Sequence, residues 1–177
     1  LLGIITRNSR GLCVAGTHGK TTTSSMLAHI LASSSTECNP FLGGILKNYN
    51  SNLILSDKSD LTVIEADEYD RSFHQLSPYM AIVTASDPDH LDIYGTEEGY
   101  LEGFAQFTEL IQPGGVLLIK KGITLKPRIN EEVKLLTFGR EEGDYHAKNI
   151  RIGGGEIIFD FVTPNKVIKD IKLGVPV

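Results

Sequence analysis

Short apolar runs alternate with amphipathic stretches along most of the chain, and the pattern then shifts to three closely spaced strand-like segments. Residues 12–15 form the first apolar run and predict a strand. After Gly16-Thr17-His18-Gly19, the segment 20–32 spaces Met26, Leu27, Ile30 and Leu31 at a helical period and predicts a helix with these four on one apolar face. Residues 33–39 read as a loop, and 41–52, rich in Gly and Asn, as irregular. Apolar runs at 61–65 and 80–84 predict buried parallel strands, with a turn and a short helix between them over 67–78. Thr96 caps a predicted helix that runs through Ile111, with Glu97 and Glu98 favourable in its first turn. Its buried stripe is Tyr100, Leu101, Phe104, Phe107 and Ile111, and Pro113-Gly114-Gly115 ends it. Residues 116–119 and 135–138 supply two further core strands. After Tyr145 the period predicts strands over 147–152, 156–162 and 167–173, joined by Gly153-Gly154-Gly155 and Pro164-Asn165. The fold class expected is α/β: a mostly parallel sheet flanked by helices, with a small antiparallel meander over 145–177.

At 177 residues the chain suffices for one good-sized domain. A net charge of −5 argues against a partner held by its phosphate backbone, so no nucleic acid is expected. It does not exclude a nucleotide, which a few amides, one Lys and a metal can hold. Cys13 and Cys38 are the only cysteines, too few for a disulfide framework and without CxxC spacing, which makes a reducing, cytoplasmic setting the expectation. No run approaches the ~20 apolar residues of a membrane span, and the first residues do not read as a signal peptide. The chain opens on Leu1 and stops at Val177, and is expected to be a piece of a longer protein.

The strongest chemical signal is Gly16-Thr17-His18-Gly19-Lys20-Thr21-Thr22 between a predicted strand and a predicted helix. That is the context of a phosphate-binding P-loop, in which backbone N–H groups curl around phosphate oxygens at a helix N-terminus. Lys20 can reach β- and γ-phosphates, and the Thr21 hydroxyl can ligate Mg²⁺. Val14 stands where the general GxxxxGK[ST] pattern has its first Gly, so the loop is a shortened form. His18 reads equally as a tuned ligand or as a tolerated loop residue.

Four acids follow at the end of the 61–65 strand, in Glu65-Ala66-Asp67-Glu68-Tyr69-Asp70. Acids at the C-terminal end of a core strand lie where ligands bind in such sheets, and a carboxylate beside a triphosphate holds metal or aligns water. Glu65 is the better metal candidate because it adjoins the buried run. At least two of Asp67, Glu68 and Asp70 are expected to be a solvated charged turn. The third signal, Asp87-Pro88-Asp89-His90-Leu91-Asp92, follows the second such strand and makes His90 a candidate ligand for a divalent ion. His29, His74 and His146 read as surface or packing residues. There is no GxSxG elbow, no Cys/His nucleophile and no helix-borne metal motif. These residues alone leave open a phosphoryl-transfer enzyme such as a small-molecule kinase, or a non-catalytic nucleotide-binding module.

Together, in this order and spacing, the three motifs resemble the Mur ligase family. Residues 16–22 are similar to the family's phosphate loop, and the His18 form to that of its L-alanine-adding member and a murein-peptide-recycling relative. Glu65-Ala66-Asp67-Glu68 resembles the acidic strand end, and Asp89-His90-Leu91-Asp92 the loop with the metal-binding His. The resemblance runs from about residue 12 to 94 and more loosely to the end. It implies that residues 1–177 are the central ATP-binding domain, with 1–11 an interdomain linker, of a three-domain ligase whose UDP-sugar and C-terminal amino-acid domains lie outside this chain. It further implies ATP and Mg²⁺ (or Mn²⁺) as cofactors, and UDP-N-acetylmuramate and L-alanine (or a peptide, in the recycling form) as substrates. The site implied is Lys20, Glu65 and His90, with the loop 16–22 on ATP and Thr21, Glu65 and His90 on metal. Other members carry a carbamylated Lys one helix after that His. Here no Lys occurs between Lys58 and Lys120, and Phe104-Ala105-Gln106 stands there, as in the L-alanine-adding branch. The family's Asn before the His loop is replaced by Ala85-Ser86, and its adenine-contacting stretch would begin after Val177.

Overall fold

A computed structural model of the chain describes residues 1–46, 49–89 and 91–174. These divide into two compact units, Leu1–Leu118 with Ile123–Leu135, and Ile119–Gly122 with Leu136–Val177. Among the described residues no helix is long and apolar enough to cross a membrane.

The first unit contains helix α1 (Leu2–Asn8), strand β1 (Arg10–Ala15), helix α2 (Lys20–Ala32), strands β2 (Asn39–Leu46), β3 (Ser51–Leu53) and β4 (Leu61–Glu65), a 3₁₀ segment (Tyr69–Gln75), strand β5 (Met80–Val83), helices α3 (Leu91–Tyr94) and α4 (Glu97–Glu109), and the start of β6 (Val116–Lys120). Its strands lie in the order β6-β5-β1-β4-β2-β3. β1 pairs in parallel with β4 on one side and β5 on the other, so that Val14 faces both Glu65 and Ile82 in register. Val14, Ala15, Val63, Ile64 and Val83 are fully buried, as expected of strands covered on both faces. The chain leaves β1 toward one side of the sheet and returns, through β5, on the other. The loops after β1, β4 and β5 therefore converge where the strand order reverses, the place an open α/β sheet reserves for ligands. Phe73 of the 3₁₀ segment packs against α4: it stacks on Phe107 with centroids 4.9 Å apart and meets Phe104 edge-on at 5.3 Å. α4 is capped as its sequence predicts, with Thr96 Oγ1 accepting from the Gly99 amide at 3.1 Å.

The second unit holds β7 (Lys134–Gly139), which begins just before it, then β8 (Tyr145–Gly153), β9 (Glu156–Val162) and β10 (Val167–Leu173), in that lateral order. β8, β9 and β10 form the expected antiparallel meander. Both pairings slip register, between Lys148 and Arg151 and between Ile168 and Ile171, and the left-handed Asn149 and Asp170 sit at those irregularities. Asp160 ties both together, accepting from Asn149 Nδ2 at 2.8 Å and from the Asp170 amide at 3.0 Å.

Two sequence expectations change. In α2 the buried residues are Ser24 and Ala28, while Met26 and Ile30 are 41% and 61% exposed. Small residues let the helix approach the sheet closely, and Leu27 and Leu31 fill the flanks against Leu12, Leu42 and Val63. Ser24 hides its hydroxyl by donating to the Lys20 carbonyl at 2.8 Å. The stretch 41–52, expected to be irregular, contributes to β2 and β3: Phe41 pairs with Ile64 of β4 and Leu53 of β3, and Leu46 with Ser51, which carries the strand across Gly43 and Gly44 despite their low strand propensity. Residues 1–11 carry α1 and the start of β1. Thr6 of α1 is fully buried, and its hydroxyl oxygen accepts from the Ser77 amide at 3.0 Å.

Candidate functional site

The loop after β1 is shaped by glycine. Gly16 lies at φ +136°, where a Cβ would stand 2.1 Å from Thr84 Oγ1, so no larger residue fits between β1 and the loop after β5. Thr84 fastens that approach: its amide donates to the Ala15 carbonyl at 3.0 Å, and its hydroxyl is shared between the carbonyls of His18 (2.5 Å) and Ala15 (3.1 Å). Gly19, at φ +82°, caps α2 without any side-chain hydrogen bond to its amides. The first turn of a 13-residue helix thus points its amides and its partial positive charge toward the loop.

Thr17 is held from α4. Its hydroxyl donates to the Asp87 carbonyl at 2.7 Å and lies 2.8 Å from Tyr100 Oη. Since Thr17 has spent its one proton, Tyr100 is the donor in the second contact. Tyr100 is fully buried, and that burial raises its pKa and keeps the hydroxyl protonated. His18 is exposed, and its carbonyl serves Thr84. Thr22 is exposed on the first turn of α2.

Lys20 folds back across the loop. Its ammonium donates to the Gly16 carbonyl and to Glu68 Oε1, both at 2.9 Å, and stands 2.7 Å from Glu68 Oε2. Thr21 donates to Glu65 Oε1 at 2.6 Å, and Glu65 Oε2 accepts from the Gly43 amide at 3.1 Å. The structure therefore brings Gly16, Thr17, His18, Gly19, Lys20, Thr21, Thr22 and Glu65 together at the C-terminal ends of β1 and β4. His90 lies outside the described residues. Asp67 and Asp70 are exposed, in line with a solvated turn, but Glu68 is buried. Asp70 and Arg71 both adopt left-handed backbone, at φ 52° and 54°, which turns the chain sharply beside the site.

Sequence reasoning missed Glu68, Thr84, Tyr94 and Tyr100 as parts of this constellation. Tyr94 Oη donates to the Glu68 carbonyl at 2.6 Å, and its ring meets Tyr100 edge-on at 5.0 Å. Arg71 lies over the same ring, 5.2 Å from its centroid. One signal was available: a buried Tyr in an apolar stripe needs a partner for its hydroxyl. Phe104 and Ala105 are buried on α4, and Gln106 donates to Glu102 at 3.0 Å.

The donor set Thr21 and Glu65 is all hard oxygen, which suits Mg²⁺. Among the described residues no three His, Cys, Asp or Glu side chains gather into a cage, and Mg²⁺ needs none when one or two protein oxygens are joined by phosphates and water. Beside Glu65 a cleft of about 530 Å³ opens between Leu2, Phe41, Leu42, Leu53 and Asp67.

A sequence profile of the Mur ligase middle domain matches residues 14–176. The UDP-N-acetylmuramate–L-alanine ligase of Parabacteroides distasonis is 66% identical over 178 residues, covering 100% of this chain and 38% of that protein. The ligase of the same description from Phocaeicola vulgatus is 63% identical over 177 residues, covering 100% of this chain and 39% of that protein. Among solved structures, the UDP-N-acetylmuramate-alanine ligase of Thermotoga maritima superposes with a TM-score of 0.79 at 26% identity, over 98% of this chain and 39% of that one. The chain thus spans about two fifths of the length of the curated relatives it matches.

Proposed function

The chain belongs to the Mur ligase family as a middle domain, and from that premise we propose that it is the ATP-binding core of an ATP-dependent ligase joining L-alanine to the carboxylate of UDP-N-acetylmuramate in peptidoglycan precursor synthesis. The observation that carries the reading is the convergence at the C-terminal ends of β1 and β4 of the Gly16 loop, the uncapped start of α2, the folded-back Lys20 and the Thr21–Glu65 pair. The identity of 63–66% with the two ligases supports the choice of substrates.

A carboxylate does not react with an amine at useful rates near neutrality. Transfer of the γ-phosphoryl group of ATP to the carboxylate gives an acyl phosphate, which the amine attacks with loss of phosphate. The protein's part is to position the reactants and neutralise charge. The amides of residues 16–22 and Lys20 hold the β- and γ-phosphates. Thr21 and Glu65 would hold one Mg²⁺, and Glu65 with His90 would hold a second divalent ion. The metal supplies charge neutralisation on the phosphate oxygens. Tyr100 and Thr84 fix the loop so that its amides stay aimed when the site is empty. The cleft beside Glu65 gives the sugar nucleotide's carboxylate a route to the metal ligands. The UDP-sugar and amino-acid domains belong to the remainder of the polypeptide, and a cytoplasmic setting accords with the free thiols of Cys13 and Cys38.

The test is turnover by the full-length polypeptide. Phosphate release that requires both UDP-N-acetylmuramate and L-alanine, and that yields the alanyl adduct, is the expected result. A product that retains the phosphate would overturn the reading in favour of a kinase.

A further inference from the structure

Glu68 is the acid for which the strand-end motif gave no role, and its geometry is unusual. Its side chain is 1% exposed, and that of its partner Lys20 is 15% exposed. Both carboxylate oxygens lie within 2.9 Å of Nζ. The backbone beneath it is pinned: the Glu68 carbonyl accepts from Tyr94 Oη at 2.6 Å and from the Arg71 amide at 3.0 Å. With its backbone held and its side chain enclosed, the carboxylate has less room to move than Lys20, which can leave it on a flexible four-carbon stem. A phosphate entering the loop meets an ammonium already engaged by a fixed, desolvated anion. It must draw the ammonium toward itself against that attraction, and it suffers the repulsion of the same carboxylate.

We propose that Glu68 is a positioning residue that acts through Lys20 as a resident competitor of the nucleotide phosphates. It holds the ammonium folded over the loop while the site is empty, yields part of that contact when phosphates arrive, and reclaims it as product diphosphate leaves. The inference rests on the loop being the phosphate site. It sets a sign that a merely structural role does not: removing the Glu68 charge tightens nucleotide binding, because the Gly16 carbonyl still holds Lys20 in place and the competing anion is gone.

The experiment titrates the full-length polypeptide with ADP, and with a non-hydrolysable ATP analogue, in the presence of Mg²⁺. The variants are Glu68→Gln, Glu68→Met and Lys20→Ala, with circular dichroism identifying the folded ones. Gln keeps the shape and one acceptor for Nζ; Met keeps the length and has no charge to bury. The expected result is binding about tenfold tighter for the folded Glu68 variants, equivalent to about 1.4 kcal/mol, with binding lost in Lys20→Ala. Unchanged or weaker binding by a folded Glu68 variant, with Lys20→Ala still defective, overturns the competitor role and leaves the loop assignment standing. Normal binding by Lys20→Ala overturns the loop assignment and the competitor role together.

Discussion

Thr21 donates its hydroxyl proton to Glu65 Oε1 at 2.6 Å, across 44 residues of sequence. The pair joins the first turn of α2 to the C-terminal end of β4, so the two oxygens proposed for Mg²⁺ already lie side by side. The Gly43 amide, on Glu65 Oε2, leaves the carboxylate little freedom to turn away. Replacing Glu65 by Gln keeps one acceptor oxygen for the Gly43 amide, lets the new NH2 donate to the Thr21 hydroxyl, and removes the charge that a divalent ion requires. In the full-length polypeptide, Glu65→Gln is expected to lower kcat by roughly 100-fold and to raise the Mg²⁺ concentration needed for half-maximal rate. Thermal unfolding should show a stability loss of no more than about 1 kcal/mol.

Gly103 and Tyr94 form a close contact on the far side of the site. A Cβ at Gly103 would stand 2.6 Å from Tyr94 Cε1, so Gly103→Ala pushes the ring off the position from which its hydroxyl reaches the Glu68 carbonyl. The expected cost is about 1–3 kcal/mol of stability, as for other overpacked sites. Tyr94→Phe, which removes only the hydroxyl, is expected to cost about 1 kcal/mol. Denaturant unfolding of both variants measures the difference.

The same tyrosine gives an alkaline signature. Burial, reinforced by the negative charge of Glu68, pushes the Tyr94 hydroxyl from its ordinary 10.0 up to about 12. An acid whose folded-state pKa is raised contributes stability below its unfolded pKa and loses it as pH climbs through the interval. Stability should therefore fall between about pH 10 and pH 12, and that part of the slope should vanish in Tyr94→Phe. Unfolding midpoints measured across this range check it.

The strands and α4 were legible from local pattern: β4, β9 and β10 span the predicted residues, β4 from its buried apolar run and β9 and β10 from the turns Gly153-Gly154-Gly155 and Pro164-Asn165 that bound them, and Thr96 caps α4 as a Thr before two acids should. The buried face of α2 was not legible, because Ser24 and Ala28 are chosen by how close the helix can come to the sheet, and no periodicity in Met26 and Ile30 encodes that distance. β2 was hidden by Gly43 and Gly44, which lie between the residues that pair with β4 and β3 at Phe41 and with β3 at Leu46. At the site, residues 16–22 and Glu65 stood out because their chemistry is contiguous in sequence. The partners of Lys20 and Thr17 did not, since Glu68 lies 48 residues from Lys20 and Tyr100 lies 83 from Thr17. A run of four acids shows that carboxylates collect there without showing which one the turn at Asp70 and Arg71 carries inward.

Both cysteines should be chemically silent in the folded chain. Burial raises the Cys13 thiol to about 12 and the Cys38 thiol to about 11, which leaves little thiolate at neutral pH. Titration with a thiol-specific disulfide reagent at pH 8 is expected to modify neither residue until denaturant is added, and then both.

The central claim is that the Gly16 loop and Lys20 bind the phosphates of ATP with Mg²⁺. Calorimetric titration of the full-length polypeptide with a non-hydrolysable ATP analogue, with and without Mg²⁺ and repeated on Lys20→Ala, tests it most directly. The account predicts binding that strengthens with Mg²⁺ and is lost in the variant. Equal binding by Lys20→Ala, or affinity indifferent to Mg²⁺, would contradict it.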